Sequence, residues 1–226
     1  MMQGMALSGP SYGPAAGGKA AKLVVFLHGW GANGQDLIGL APHFARTLPT
    51  TSFVSPDAPF PCDANPMGLQ WFSFADNSQA QLLAGARLAA SLVAAFLDEE
   101  QAKFGLKDED TALVGFSQGA MLALHVGLRM KRRLAGIVAY SGVMIAAETL
   151  GEELTGKPPV LLVHGEQDSV VPAQASQVAH RFLVHSGLDA RLVLRPNLAH
   201  GIDEEGLRQG QAFLQQVLGA ARAATH

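Results

Sequence analysis

The stretch Gly115-Phe116-Ser117-Gln118-Gly119 constrains this chain more than any other, because it reads G-x-S-x-G between two apolar segments. Thr111-Ala112-Leu113-Val114 before it has the character of a buried strand, and Ala120-Met121-Leu122-Ala123-Leu124-His125-Val126 after it opens a helix. A serine in so sharp a strand-to-helix turn is pushed up into a cleft with its hydroxyl exposed. Glycines two residues before and two after remove the Cβ atoms that would clash there. The following helix directs its N-terminus at the serine, where negative charge is favoured. Glycine and serine are common in ordinary turns, so the pentapeptide gains its meaning from the strand before it and the helix after it.

The rest of the chain repeats this alternation. Residues 22–27 form an almost wholly apolar strand, as expected where both faces of a parallel sheet are covered. It runs into His28-Gly29-Trp30-Gly31-Ala32-Asn33-Gly34. Spacing and punctuation predict a helix over 36–47, a strand over 51–55, and a loop over 56–66 that holds four prolines. A helix over 79–104 stops before Gly105, and the helix after the serine runs to about 130. Strands are predicted at 134–140, 160–163 and 191–195, with helices at 172–186 and 206–221. A short edge strand near 5–8 and partial disorder within 1–18 are expected. Strands alternating with helices imply a mostly parallel sheet wrapped on both sides. With 226 residues and no compositional break, the chain reads as a single domain over 1–226.

Composition excludes several classes of function. The formal net charge is -3, so nucleic acid is not an expected partner. No uninterrupted apolar run reaches the roughly 18–20 residues needed to cross a bilayer, so stable membrane insertion is not expected. The glycine-rich start lacks the pattern of a secretory signal. Cys62 is the single cysteine and cannot form an internal disulfide, which fits a cytoplasmic location. Lying in Pro61-Cys62-Asp63, it is expected to be neither catalytic nor a metal ligand.

A serine hydroxyl is a weak nucleophile at neutral pH. It needs a base, and the base needs a third group to orient it and stabilise its protonated form. Both should lie after Ser117, in loops at the carboxyl ends of parallel strands, where distant segments converge. The acid is expected at Asp168 in His164-Gly165-Glu166-Gln167-Asp168-Ser169-Val170-Val171-Pro172, with Glu166 as its rival. The base is expected at His200 in Pro196-Asn197-Leu198-Ala199-His200-Gly201. His180 and His185 fall inside a predicted helix, and His226 is terminal. His43 precedes the nucleophile, and His125 and His164 read as structural. An oxyanion requires two preorganised donors. The backbone N–H of Gln118 should supply one and that of Trp30, between two glycines, the other.

These stretches resemble the phospholipase/carboxylesterase family of serine α/β-hydrolases, whose members include bacterial carboxylesterases and acyl-protein thioesterases. The likeness rests on Leu27-His28-Gly29-Trp30-Gly31-Ala32-Asn33-Gly34, Pro56-Asp57-Ala58-Pro59, Gly115-Phe116-Ser117-Gln118-Gly119-Ala120, His164-Gly165-Glu166-Gln167-Asp168 with Val171-Pro172, and His200-Gly201. It implies an α/β-hydrolase fold without a large cap domain, a Ser117–Asp168–His200 triad, hydrolysis of small-molecule carboxylic esters, and neither cofactor nor metal. Compact members of the family often form homodimers. The eukaryotic thioesterases read H-G-L-G-D where this chain has Trp30 and Ala32, so the bacterial esterase branch is the nearer match. A lysophospholipase or acyl-protein thioesterase is the alternative enzyme, and a hydrolase-fold binding protein the alternative outside enzymes. A dienelactone hydrolase would carry cysteine in place of Ser117.

The aromatic residues of 60–74 bear on substrate range. This run is too broken for a regular strand or helix and too apolar for a solvated loop. Either its aromatics plug the core, or they form a short cover whose Trp71 and Phe72 wall the acyl group. With no room for a cap, the second reading predicts an open, shallow cleft and a preference for short to medium acyl chains.

Overall fold

The structure is a computed structural model and describes residues 6–76 and 78–219. In chain order the elements are β1 (Ser11–Tyr12), β2 (Lys22–Leu27), α1 (Gly34–Ile38), α2 (Ala41–Ala45), β3 (Thr51–Val54), β4 (Phe60–Pro61) and β5 (Leu69–Gln70). They continue with α3 (Gln79–Phe104), β6 (Thr111–Phe116), α4 (Gln118–Arg129), β7 (Gly136–Tyr140), α5 (Ala147–Glu153), β8 (Val160–Gly165), α6 (Gln174–His185), β9 (Ala190–Arg195) and α7 (Glu204–Gly219). The main sheet has the order β1-β3-β2-β6-β7-β8-β9. All its pairings are parallel except β1 with β3. This is the mostly parallel, helix-wrapped sheet expected from the alternation, and it has the α/β-hydrolase architecture that the resemblance implies.

Period-two alternation divides the core between the two faces. Leu23, Val25 and Leu27 of β2 point to one side with Leu113, Ile137 and Leu162, against α3, α4 and α6. Val24 and Phe26 point to the other with Val114, Val138 and Leu161, against α1, α2 and α7. A strand apolar at every position therefore feeds two cores at once. The sheet runs outward from β2 to β3 and then returns to β6 on the other side of β2. The crevice between the carboxyl ends of β2 and β6 is the switch point, where α/β proteins build their sites.

Several boundaries differ from expectation. The helix predicted over 36–47 is two short helices, because Pro42 has no N–H to continue the first and sits in the opening turn of the second. The antiparallel edge forms at Ser11–Tyr12 rather than near 5–8, and residue 5 lies outside the described residues. Residues 6–18, expected to be partly disordered, are held. Ser8 and Pro10 carbonyls accept from the amides of Asp57 and Ser55, and Ala16 donates to Pro49. The 60–74 segment, read as too broken for strands, contains the β4–β5 hairpin. Helix α5 was not anticipated. The last helix ends at Gly219, and residues 220–221 of its predicted range lie outside the described residues.

Helix α3 spans 26 residues as predicted, from Ser78, whose hydroxyl accepts from the Gln81 amide, to Gly105 in a left-handed conformation at φ 66°. By length and composition it is apolar enough to cross a membrane. Here it lies along the sheet, burying Ala86, Ala89, Val93, Phe96 and Leu97.

One buried group in α4 ties the fold to pH. His125 is 2 % exposed, and among the described residues its Nδ1 has no hydrogen-bond partner. Burial, with the nearby Arg129 charge, lowers its pKa to about 4. Above pH ~6.5 the ring is neutral in both folded and unfolded chains. Below that, the unfolded chain takes a proton that the folded chain refuses, so stability falls as pH drops toward 4. A shift of this size is worth about 3 kcal/mol at full development. Urea denaturation between about pH 7 and 4.5 should show this slope, and His125→Leu should flatten it.

Candidate active site

The Gly115–Gly119 elbow forms as the sequence requires. Ser117 adopts φ 52° and ψ -116° between β6 and α4, a conformation that costs energy for any residue with a side chain. Its amide donates to the Tyr140 carbonyl at 2.9 Å, which pins the turn to β7. A Cβ on Gly119 would lie 1.8 Å from the Leu27 carbonyl oxygen, and one on Gly115 would lie 2.3 Å from the Gly119 oxygen. Both positions therefore admit only glycine, and β6 and α4 close directly onto β2.

Asp168 and His200 meet at this edge. His200 Nδ1 lies 2.7 Å from Asp168 Oδ2. The other carboxylate oxygen accepts from the amides of Val170 and Val171 at 2.9 and 2.8 Å. Burial alone would raise the Asp168 pKa. The hydrogen bond from His200 and those from the Val171 and Val170 amides outweigh it, holding the carboxyl below its usual range. Glu166, the rival acid, is exposed. His200 packs its ring on Phe116, the neighbour of Ser117, with centroids 5.0 Å apart. Among the described residues the Ser117 hydroxyl makes no hydrogen bond. The loop bearing His200 is closed by Arg195, whose Nε reaches both oxygens of Asp203 at 3.2 and 3.0 Å. Asp203 in turn caps α7 through the Gly206 amide.

The two expected oxyanion donors flank the same point. Gln118 opens α4, where a helix amide has no partner within the helix. Trp30 follows Gly29, where an added Cβ would lie 3.1 Å from the Phe116 ring. Among the described residues neither amide donates to a protein acceptor. His28 braces this loop from beneath. Its Nε2 accepts from the Ala58 amide at 3.0 Å, so Nδ1 carries the hydrogen and donates to Gly29 at 2.8 Å. Burial lowers the pKa of His28, against the opposing pull of the Gly29 carbonyl and of Asp57 and Asp36.

The 60–74 segment is welded to the elbow rather than laid loosely over it. The Gln118 side chain accepts from the Trp71 amide at 2.9 Å and donates to the Phe72 carbonyl at 2.7 Å. Trp71 donates from its indole to the His28 carbonyl at 2.9 Å. The Trp30 indole donates to Gln70, whose amide donates to Asp63, and Asp63 also accepts from the Ser73 hydroxyl. The hydrogen bonds from Ser73 and Gln70, with the Phe74 amide, hold Asp63 below the usual carboxylate range. Trp71 is fully buried and Phe72 is 2 % exposed. Trp71 therefore does not face the cleft as an acyl wall: it plugs the core under the loop that carries Trp30. Phe72 borders a cavity of about 550 Å³ shared with Phe60, Gln70 and the α3 residues Ala84 and Leu88. The exposed aromatic at the mouth is Trp30, which packs edge-on against Phe74. Sequence reasoning had no signal for the structural work of the Gln118 side chain.

With this geometry in view, the comparisons with known proteins give one answer. The Phospholipase/Carboxylesterase family matches residues 14–218. The chain belongs to that family. It is 30 % identical over 208 residues to acyl-protein thioesterase 1 of Schizosaccharomyces pombe, covering 87 % of this chain and 91 % of that one. Esterase YpfH of Escherichia coli is 29 % identical over 197 residues, covering 84 % and 80 %. Among solved structures, esterase PE8 superposes with a TM-score of 0.90 at 45 % identity, covering 94 % of this chain and all of that one.

The Gln118 clamp yields an expectation of its own. Gln118→Leu keeps the backbone N–H and much of the volume but leaves the Trp71 amide and Phe72 carbonyl buried without partners. Two such orphans should cost roughly 2–5 kcal/mol, read as a lower urea midpoint with an unchanged slope.

Proposed function

We propose that the protein hydrolyses short to medium acyl esters through an acyl-enzyme on Ser117, with His200 as base, Asp168 as the group that orients it, and the amides of Trp30 and Gln118 as oxyanion donors. The observation that carries this reading is the 2.7 Å contact between His200 Nδ1 and Asp168 Oδ2, beside a serine held at φ 52°. The chain is a serine hydrolase of the carboxylesterase class. His200 takes the proton of Ser117 as the hydroxyl attacks the ester carbonyl, and the carbonyl oxygen gathers negative charge toward the two amides. His200 then returns the proton to the departing alkoxide. A water deprotonated by the same ring releases the acid and restores Ser117. Because Asp168 accepts at Nδ1, the neutral imidazole keeps Nε2 bare for these transfers. The lone, buried Cys62 suits a cytoplasmic site of action.

Ser117→Ala should fold normally and lose about 10⁴–10⁶ in kcat, together with labelling by a fluorophosphonate. Asp168→Asn should cost orders of magnitude, while Glu166→Gln should stay close to the parent; the reverse ranking would move the acid to Glu166. Near-normal turnover of folded Ser117→Ala would end the proposal and favour a binding protein.

The chain-length reading rests on the absence of any cap among the described residues and on the fixed hairpin. Each buried methylene contributes about 0.8 kcal/mol until the wall ends. A series of p-nitrophenyl esters should therefore peak at short to medium chains. Phe72→Ala should flatten that series more than it slows the acetate. Trp71→Ala should instead destabilise by about 3–5 kcal/mol. The S. pombe relative named as a thioesterase gives a second reading, acyl thioesters, and matched thioesters belong in the same series. Highest kcat/KM on palmitoyl substrates would refute the short-chain reading.

A further inference from the structure

We infer that His164 is a positioning residue for the acid of the triad: it holds the 168–171 turn that cradles the Asp168 carboxylate and thereby sets how Asp168 meets His200. The inference rests on the triad proposed above. His164 lies near the end of β8 with its side chain fully buried. Its Nε2 is 2.7 Å from the Val171 carbonyl. A carbonyl can only accept, so Nε2 carries a hydrogen. The same nitrogen lies 3.2 Å from Asp168 Oδ2, the oxygen that meets His200. Its Nδ1 lies 2.7 Å from Ser176 Oγ in the first turn of α6. In the neutral ring Nδ1 is bare, so the Ser176 hydroxyl donates to it, in preference to the longer 3.3 Å contact with the Gly142 carbonyl.

Val171 is thus gripped twice. Its carbonyl holds His164, and its amide donates to Asp168 Oδ1 at 2.8 Å. A line of contacts runs from α6 through Ser176, His164, Val171 and Asp168 to His200. An ordinary core histidine would satisfy its nitrogens on any nearby groups. This one spends Nε2 on the acid's own turn, 3.2 Å from the carboxylate oxygen shared with the base, and Nδ1 on the helix packed behind it. The charged and titratable groups around this point are few. They are His200 from the β9–α7 loop, exposed Glu166 on the acid's own loop, and the Arg195–Asp203 pair that closes the His200 loop. From β7 comes Tyr140, whose hydroxyl burial holds neutral as it donates to the Gly206 carbonyl. From α6 comes the uncharged Ser176.

Without His164 the turn loses a tether and Oδ2 loses a positive edge. Asp168 then attracts the His200 proton more strongly while holding the ring less accurately. His164→Leu, His164→Gln, Ser176→Ala and Asp168→Asn should be compared on p-nitrophenyl acetate across about pH 5–9, with melting temperature recorded for each. His164→Leu should lower kcat about tenfold, the scale on which outer partners of a site's side chains act, with KM within about twofold. The acid limb of kcat/KM should move up by roughly half a pH unit. His164→Gln carries an N–H donor toward the position of Nε2 and should recover most of the rate. Ser176→Ala should move the limb the same way by less. A folded His164→Leu protein with the parent's kcat and acid limb would overturn the inference, as would Gln performing no better than Leu. If His164→Leu does not fold, Ser176→Ala decides: a raised limb upholds the inference and an unchanged profile overturns it. Asp168→Asn separates the two levels. Undiminished turnover there defeats the triad itself, whereas an inactive Asp168→Asn beside silent His164 and Ser176 variants defeats this inference alone.

Discussion

Ser117 can be held at φ 52° only because nothing larger than hydrogen stands on Gly115 and Gly119. The approach is so close that a Cβ on Gly119 would overlap the Leu27 carbonyl. That single steric fact links three elements. It brings β6 and the start of α4 against the end of β2, so the loop after β2 and the turn after β6 share one wall. A strained residue persists when its surroundings over-determine it. Here the Tyr140 carbonyl takes the Ser117 amide, and the glycines on either side of Ser117 let β6 and α4 close on β2. The strain is offset by the two hydrophobic cores that clamp the sheet on either face.

Once the elbow is set, the remaining polar groups have few places to go. The Gln118 side chain lies under the cleft and is fully buried. It must find both an acceptor and a donor, and the backbone of Trp71 and Phe72 supplies them. The hairpin is thereby fixed to the residue that follows Ser117. Trp30 is fixed from the other side through Gln70 and Asp63. A wall held by hydrogen bonds to the residue next to Ser117 has little freedom to open.

Much of this could be read in the sequence, for reasons that are specific. Glycines with a backbone task, such as Gly115, Gly119 and Gly105, declare themselves through their neighbours. The apolar runs of β2, β6 and β8 are unmistakable because they serve both faces. Asp168 and His200 were found through the order of loops on a parallel sheet, and their contact needs no detail beyond that topology. Burial of single aromatics was not legible. Trp71 and Trp30 both sit in glycine- or proline-rich stretches, and nothing in their neighbours says that one is fully buried and the other exposed. Helix α5 was missed because it has no capping side chain and begins at Ala146 in a left-handed conformation. His164 was read as structural. Its buried contacts agree, yet what it supports could not be known without the turn it holds.

His28 shows how a buried titratable group can serve a site that it never touches. Its ring lies between two backbone groups, receiving from Ala58 and donating to Gly29, and its own carbonyl receives the Trp71 indole. Together the two ring contacts require one tautomer of a neutral ring. A second proton on Nε2 would confront the Ala58 amide with another donor and push apart the loop that carries Trp30. Burial prevents this by lowering the pKa of His28. His28 and His164, both buried, hold backbone groups through their ring nitrogens, while His200, partly open to solvent, meets Asp168 at the cleft. The division follows from burial: in a desolvated position a histidine ring serves as a donor–acceptor strut, and nearer the surface the same ring meets a carboxylate at the edge of the sheet.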